Sequence, residues 1–452
     1  MIEDRENFSA ENNRRRTNRN AIISVLVAVA ILITFFLGYF VRGYNEPAYS
    51  RKISEIIKLR NGMSVYLSDI DDDDLAKYLV AYLLKDDEYA YYYTPEEYER
   101  LLQEDSGNYS GLGVGFFADG TVAKVYLNSP AYNNGQGLKE GDEFYSGIYK
   151  GDSNYTVFAD KLTEEKSELE VYAEFISEFD MGEDINLKVK RGDEILPFTL
   201  TKAEYTVSYV EYKDTDGHLY FFSDGDEIDS KTPLDASGVA GLSADTGYIK
   251  LHAFSGDAAE QFAAALTEMR ARGRTKLILD LRDNGGGQID ILLDIASYLI
   301  NDEESSDSIR VLKVQERDAK ISYYTPSNNF TGDITDISVI ADTNTASASE
   351  CLIGALNDYG ETGAAFSLDR LVLTGQDKQG VYRTFGKGIM QTTIKLKSGG
   401  ALKLTTAYIY WPISVDEDEN PICIQGKGIR TEVAENQVSD ADAIARADAV
   451  LH

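Results

Sequence analysis

Hydrophobic and polar positions along the chain fall into blocks with different periods. Residues 21–41, AIISVLVAVAILITFFLGYFV, form an uncharged apolar run, and about 20 such residues suffice to span a bilayer as a helix. Helical spacing follows in SRKISEIIKL, DLAKYLVAYLL and TPEEYERLL, within residues 42–105. The last of these opens on Thr94, Pro95, Glu96 and Glu97, a good helix start. The acidic run 71–74 reads as a solvated cap rather than a calcium site. Residues 106–205 read as a small β-rich domain, with GLGVGFF, TVAKVYLNSPA, GLKEGDEF and DINLKVKRGDEILPFTL. An amphipathic helix over 163–179 interrupts it, with Leu169, Tyr172, Phe175 and Ile176 on one side. The polar, acidic stretch 206–245 reads as a connection plus a surface insertion. From Gly247 onward, apolar runs such as KLILDLR and DISVIAD alternate with helical patterns such as AAEQFAAALTEMRARG and SECLIGALNDYG. That alternation predicts an α/β layer with a largely parallel sheet. The expected order is a tail (1–20), a transmembrane helix (21–41), a helical region (42–105), the β-rich domain (106–205) and the α/β core (206–452).

Charge gives this picture a direction. Arg14, Arg15, Arg16 and Arg19 precede the apolar run and acidic residues dominate after it. The positive-inside rule then puts the N-terminus in the cytoplasm and the remainder outside the cell membrane. Arg42 follows the run in place of a small-residue cleavage site, so an uncleaved signal anchor is expected over a cleaved signal peptide. The net charge is -32, from 76 acidic and 44 basic residues. Such a surface repels phosphate backbones and argues against nucleic acid as a partner. Cys351 and Cys423 are the two cysteines; they lack metal-ligand spacing and lie in apolar stretches, so buried thiols are expected rather than a disulfide. No metal or cofactor is expected. The three histidines, His218, His252 and His452, adjoin no catalytic-looking motif. A hydrolase built from this chain needs another base.

Three segments carry candidate chemistry. In LRDNGGGQID, residues 281–290, a strand gives way to a helix through glycines whose N–H groups can converge on one point, as an oxyanion hole requires. Read alone, it is equally a tight strand-to-helix turn. In DTNTASASECLIGALNDYG, residues 342–360, Ser347 precedes a helix N-terminus between the small residues Ala346 and Ala348. The helix dipole there favours developing negative charge; an ordinary serine cap is the competing reading. In TFGKGIMQTTIKL, residues 384–396, Lys387 lies among apolar residues. An apolar setting disfavours the ammonium, lowers the lysine pKa and leaves an amine able to accept a proton. Gln391, four residues on, is expected on the same side, where it could orient that amine. A solvent-exposed lysine on a glycine turn is the bland alternative.

Taken in order, DLRDNGGG, ASASE, GALNDYG, TFGKGIMQ and ALKLTTAYIY … CIQGKGI resemble the carboxyl-terminal processing peptidases. The likeness runs from about Tyr92 to the C-terminus. It implies a multidomain serine endopeptidase, with an α/β core related to crotonase and ClpP and with residues 106–205 as a PDZ domain. Matched by position, Ser347 is the nucleophile, Lys387 the general base and Gln391 its orienting residue. The backbone amides of Gly286, Gly287 and Ala348 match oxyanion donors, and Glu350, Asp358 and Thr384 match supporting positions. Gly111, Leu112, Gly113 and Val114 match the loop that receives a substrate's C-terminal carboxylate. Protein or peptide substrates with free C-termini are the implied partners, and the family's terminal helices imply a homodimer. The connection between Asp358 and Lys387, the acidic stretch before Gly247 and the residues after Asp142 depart from the usual pattern. A PDZ scaffold on a dead peptidase fold would be expected to have lost Ser347 or Lys387, and both stand. An acyl-CoA enzyme on a crotonase-like core would not carry the anchor and the PDZ stretch.

Overall fold

The computed structural model describes residues 48–63, 71–117, 119–132, 136–163, 166–213, 219–224, 227–231, 239, 241–300, 309–324, 334–360 and 364–452. The expected span 21–41, the tail before it and His218 lie outside them. Among the described residues no helix is long and apolar enough to cross a membrane.

The main sheet has eight strands. In chain order they are β1 (Val210–Lys213), β2 (Leu219–Asp224), β3 (Glu227–Lys231), β4 (Thr246–Leu251), β5 (Lys276–Asp280), β6 (Asp336–Ala341), β7 (Leu371–Thr374) and β8 (Gln437–Val438). Their spatial order is β3-β2-β1-β4-β5-β6-β7-β8. Strands β4 to β8 are parallel, and β1 to β3 extend one edge antiparallel. The two-residue side-chain period explains the apolar runs. Leu277 and Leu279 of β5 face a core shared with helices Ala258–Ala271, Ile289–Leu299 and Ala348–Asp358. Ile278 between them faces a second core, with Tyr248, Ile340, Val372 and helix Ala443–Ala449. Covered on both faces, these strands read as continuous hydrophobic text.

Two stretches differ from the sequence reading. Residues 206–245 are not merely a connection, because they supply β1 to β3. Val207, Tyr209, Val210 and Tyr212 are buried there, and the acidic text after them obscured that pattern. The connection between Asp358 and Lys387 likewise contains β7, whose four residues are all buried.

Residues 108–206 have their own hydrophobic cluster. A four-stranded antiparallel sheet runs in the order Thr156–Val157, Glu143–Gly147, Asp184–Arg191, Glu194–Thr201. Helix Glu168–Ser177 buries Val171, Tyr172 and Phe175 against Phe144, Phe158, Ile185, Leu187 and Val189. It begins later than its apolar spacing suggested, because Ser167 and Glu170 form a capping box.

A second sheet has five strands with Ala401–Tyr410 as its spine. That strand pairs with Tyr91–Tyr93, Leu312–Glu316 and Ile389–Lys395. The Tyr91–Tyr93 strand was not expected. Asp87 fastens the chain ahead of it, accepting from Thr405 N–H at 2.9 Å and Thr405 Oγ1 at 2.8 Å.

Candidate active site

Ligands of open α/β sheets bind beyond the carboxyl ends of the strands, and the candidate residues gather there. β5 runs into the glycine turn. Gly286 has φ 98°, and a Cβ on it would lie 2.8 Å from both the Ala346 carbonyl oxygen and the Ala348 nitrogen. Only glycine lets this turn lie against the one that follows β6. That second turn ends at Ser347, whose backbone stands at φ 58°, ψ -116° at the head of helix Ala348–Asp358. A non-glycine residue held there costs on the order of 1–3 kcal/mol. The residue gains a place at the positive end of the helix.

Glu350 joins this turn to the lysine loop. Wholly buried, its Oε2 accepts from the N–H groups of Ser347 at 3.0 Å and Lys387 at 2.8 Å. Its Oε1 accepts from Thr384 Oγ1 at 2.5 Å and Gly386 N–H at 2.8 Å. Burial pushes the Glu350 carboxyl above the ordinary glutamate value, against the pull of these donors. Thr384, also buried, accepts Ile429 N–H at 2.7 Å. Asp358 works at the other end of the helix. It accepts from the N–H groups of Ile413 at 2.7 Å and Ser414 at 3.0 Å, and so anchors the chain after Ala401–Tyr410.

Ser347, Ala348, Lys387 and Gln391 line one cavity of about 340 Å³ together with Gly286 and Gly287. Its remaining wall is largely apolar and includes Ile289, Leu292, Leu312, Cys351, Met390 and Ile409. Among the described residues no histidine lines it. His252 is engaged elsewhere, 2.5 Å from Glu211. Lys387 is half-buried, and burial, then the nearby Lys403 charge, holds its amine below the usual lysine pKa. Among the described residues no carboxylate pairs with it.

Residues 245–430, which contain both turns and the lysine loop, match the description Peptidase family S41. Those residues are similar to that family's peptidase domain. A probable CtpA-like serine protease of Staphylococcus aureus (strain COL) is 25% identical over 421 residues, covering 91% of this chain and 70% of the relative. A protein of the same description from Staphylococcus saprophyticus is 23% identical over 416 residues, covering 90% and 70%. Among solved structures, a photosystem II D1 C-terminal processing protease aligns over 87% of this chain and 90% of its own at 20% identity, with a TM-score of 0.45. The chain is a serine peptidase, as its resemblance to the carboxyl-terminal processing peptidases implied.

The geometry of the S41 domain refines several expectations. Of the amides named as oxyanion donors, Gly286 N–H is already engaged by Asn284 Oδ1 at 2.9 Å. Among the described residues the Gly287 and Ala348 N–H groups have no acceptor. Of the three amides expected as oxyanion donors, those two are the unengaged ones. Gln391 lines the cavity but does not bond the Lys387 amine; its Nε2 donates to the Tyr89 carbonyl at 3.0 Å. Lys387 precedes the strand Ile389–Lys395, and a register shift between Met390 and Gln391 breaks the alternation assumed between them. Ser347 and Lys387 share the cavity without a hydrogen bond between them. Both thiols are free, Cys351 buried and Cys423 half-buried.

Two S41-domain neighbours escaped the sequence reading. Asn284, wholly buried, donates from Nδ2 to the Leu251 carbonyl at the end of β4 at 2.9 Å. Its own carbonyl accepts from Ala346 N–H and Ser349 Oγ, each at 3.0 Å. It thereby joins the ends of β4, β5 and β6. Its place inside DNGGG was the available signal. Tyr89 is the other, with its ring centroid 5.4 Å from Lys387 Nζ; no local pattern marked it.

The expected carboxylate loop lies outside this cavity. Gly111 closes one strand and Val114 opens the next. Leu112 is buried, and its carbonyl accepts Ala131 N–H at 2.7 Å. Gly113 has φ 80°, and a Cβ there would strike Ser129 Cβ at 2.1 Å. Among the described residues the Leu112 and Gly113 N–H groups have no acceptor.

Proposed function

We propose that the chain is a membrane-anchored, extracytoplasmic serine endopeptidase that cleaves protein substrates near their C-termini by a Ser347–Lys387 mechanism. The observation that carries the mechanism is the shared cavity, where a hydroxyl at a helix N-terminus meets a half-buried lysine and two unengaged amides without a histidine. Lys387, as the free amine, takes the Ser347 proton while Oγ attacks the scissile carbonyl. The Gly287 and Ala348 N–H groups hold the oxyanion. Lys387 then gives the proton to the leaving amine, and water, deprotonated by Lys387, clears the acyl-enzyme. A hydrogen bond between Ser347 and Lys387 forms when substrate fills the cavity, as catalytic hydrogen bonds often close only in the complex. Gln391, held by Tyr89, limits where the amine can swing. The apolar wall receives an apolar side chain next to the scissile bond.

Arginine in place of Lys387 keeps the charge but cannot act as a base. A folded Lys387→Arg variant should therefore not cleave an unfolded protein or a C-terminal peptide. Near-normal cleavage by that variant would overturn the mechanism.

The reading extends to the whole chain: a cytoplasmic tail (1–20), an anchor (21–41), a helical region (42–105), a PDZ domain (106–205) and the peptidase (206–452). The unengaged Leu112 and Gly113 amides support a carboxylate site for the substrate's terminus, with the tail added as a strand near Val114–Phe116. Amidating a peptide's C-terminus should then weaken its capture; equal cleavage of acid and amide would count against it. Protease added to intact cells should digest residues 42–452, and full protection would refute the topology. A homodimer is part of the proposal, to be checked by the solution mass of the chain after residue 42.

A further inference from the structure

The lysine is held from a direction outside the S41 match. Residues 87–93 lie against Ala401–Tyr410, pinned by Asp87 to Thr405 and by pairing of Tyr91–Tyr93 with Ala401, Leu402 and Lys403. From this strap Tyr89 reaches the site in three ways. Its ring lies over Lys387 Nζ, with the centroid 5.4 Å away. Its carbonyl accepts Gln391 Nε2 at 3.0 Å. Its hydroxyl faces the Gln425 side chain, and Gln425 Oε1 accepts Gly388 N–H at 2.8 Å. One residue thus touches the amine, the side chain beside it and the loop that carries it.

We propose that Tyr89 is a positioning residue for Lys387, fixing the amine toward Ser347 and shielding it from water, so that the strap 87–93 completes the active site. This rests on the Ser347–Lys387 reading above. The ring has two opposed effects on the amine. Its π face favours the ammonium, whereas the water it excludes favours the free amine. The charged and titratable groups around Lys387 decide the balance. Lys403, on Ala401–Tyr410, repels the ammonium. Glu350, on helix Ala348–Asp358, spends its carboxylate on backbone N–H groups, including that of Lys387. Tyr89 is neutral, its hydroxyl pushed up by burial. Asp87 and Glu88, on the strap itself, act on the Tyr89 hydroxyl; among the described residues no carboxylate pairs with the half-buried ammonium, so shielding prevails and the amine is held below the usual lysine value.

The test compares Tyr89→Phe and Tyr89→Ala by following kcat and KM for a C-terminal peptide across pH. Phenylalanine keeps the ring and should stay within about threefold of the parent kcat, with its acid limb unmoved. Alanine admits water and frees the loop. Its kcat should fall by about 10²-fold, the scale of a 1 Å misplacement, with little change in KM. The acid limb of its kcat profile should move up by on the order of one pH unit, because the free amine then appears only at higher pH. A merely structural role would not move that limb. If alanine proves poorly folded by thermal unfolding, Tyr89→Ser likewise removes the shielding ring and should show the same upward limb shift. A parent-like kcat and acid limb in a folded alanine or serine variant would overturn the proposal. Lys387→Arg, measured alongside, separates the two readings: cleavage by that variant refutes the base, whereas a dead Lys387→Arg beside a parent-like Tyr89→Ala refutes only the strap.

Discussion

Ser347 occupies a backbone conformation that its own β-carbon disfavours. Replacing it separates chemistry from strain. Ser347→Ala should abolish cleavage and leave stability near that of the parent, since the β-carbon remains. Ser347→Gly should be equally inactive and more stable than the alanine variant by about 1 kcal/mol, read from paired denaturant titrations. Equal stability of the two would mean the turn relaxes in solution. Glu350 offers a second separation. Each of its oxygens accepts two hydrogen bonds. Glu350→Gln turns one acceptor into a donor that faces two others. The cost should be about 1–3 kcal/mol for each donor left buried and unpaired. With the Ser347 and Lys387 backbones no longer joined, kcat should fall by about 10²-fold. Parent-like melting and turnover in this variant would show the bridge to be idle.

At the scale of elements, the site is a set of turns that strands hold side by side. Asn284 is the tie, bonded to the end of β4, the glycine turn and the Ser347 turn. Asn284→Ala should free the Gly286 amide and loosen the neighbouring Gly287 donor. Loss of an oxyanion donor costs about 10²–10³ in kcat, and a decrease of that order with KM nearly unchanged is expected from steady-state kinetics. A change in KM alone would place Asn284 in binding instead. The same scale explains what could be read from the sequence. The parallel strands were legible because burial on both faces writes them as apolar runs. Both turns were legible because close approach demands glycine and alanine. Strands Tyr91–Tyr93 and Val210–Lys213 were not, being short and set beside acidic text. Gln391 was expected beside Lys387 to orient its amine; its bond to the Tyr89 carbonyl was not foreseen, because a register shift cannot be seen in residue spacing. Tyr89 left no signal at all, since its role comes from a contact across 302 residues.

The whole molecule carries a net charge of -32, and compact states with that much like charge repel themselves. Added salt shortens the screening length from roughly 30 Å at 0.01 M to 10 Å at 0.1 M. The thermal midpoint of the protein should rise by a few degrees over that interval, measured by scanning calorimetry. A falling midpoint would mean that surface ion pairs outweigh the repulsion.

The long reach from Tyr89 to Gln391 also sets when the enzyme can first act. The ribosome makes the two ends of that contact 302 residues apart. At roughly 5–20 residues per second, on the order of 15–60 s separates them. On the Ser347–Lys387 reading, a growing chain holds the nucleophile turn before it holds the base or the carbonyl clasp on Gln391. Connectivity would then keep the unfinished protein from cleaving its neighbours, or itself, on the way out.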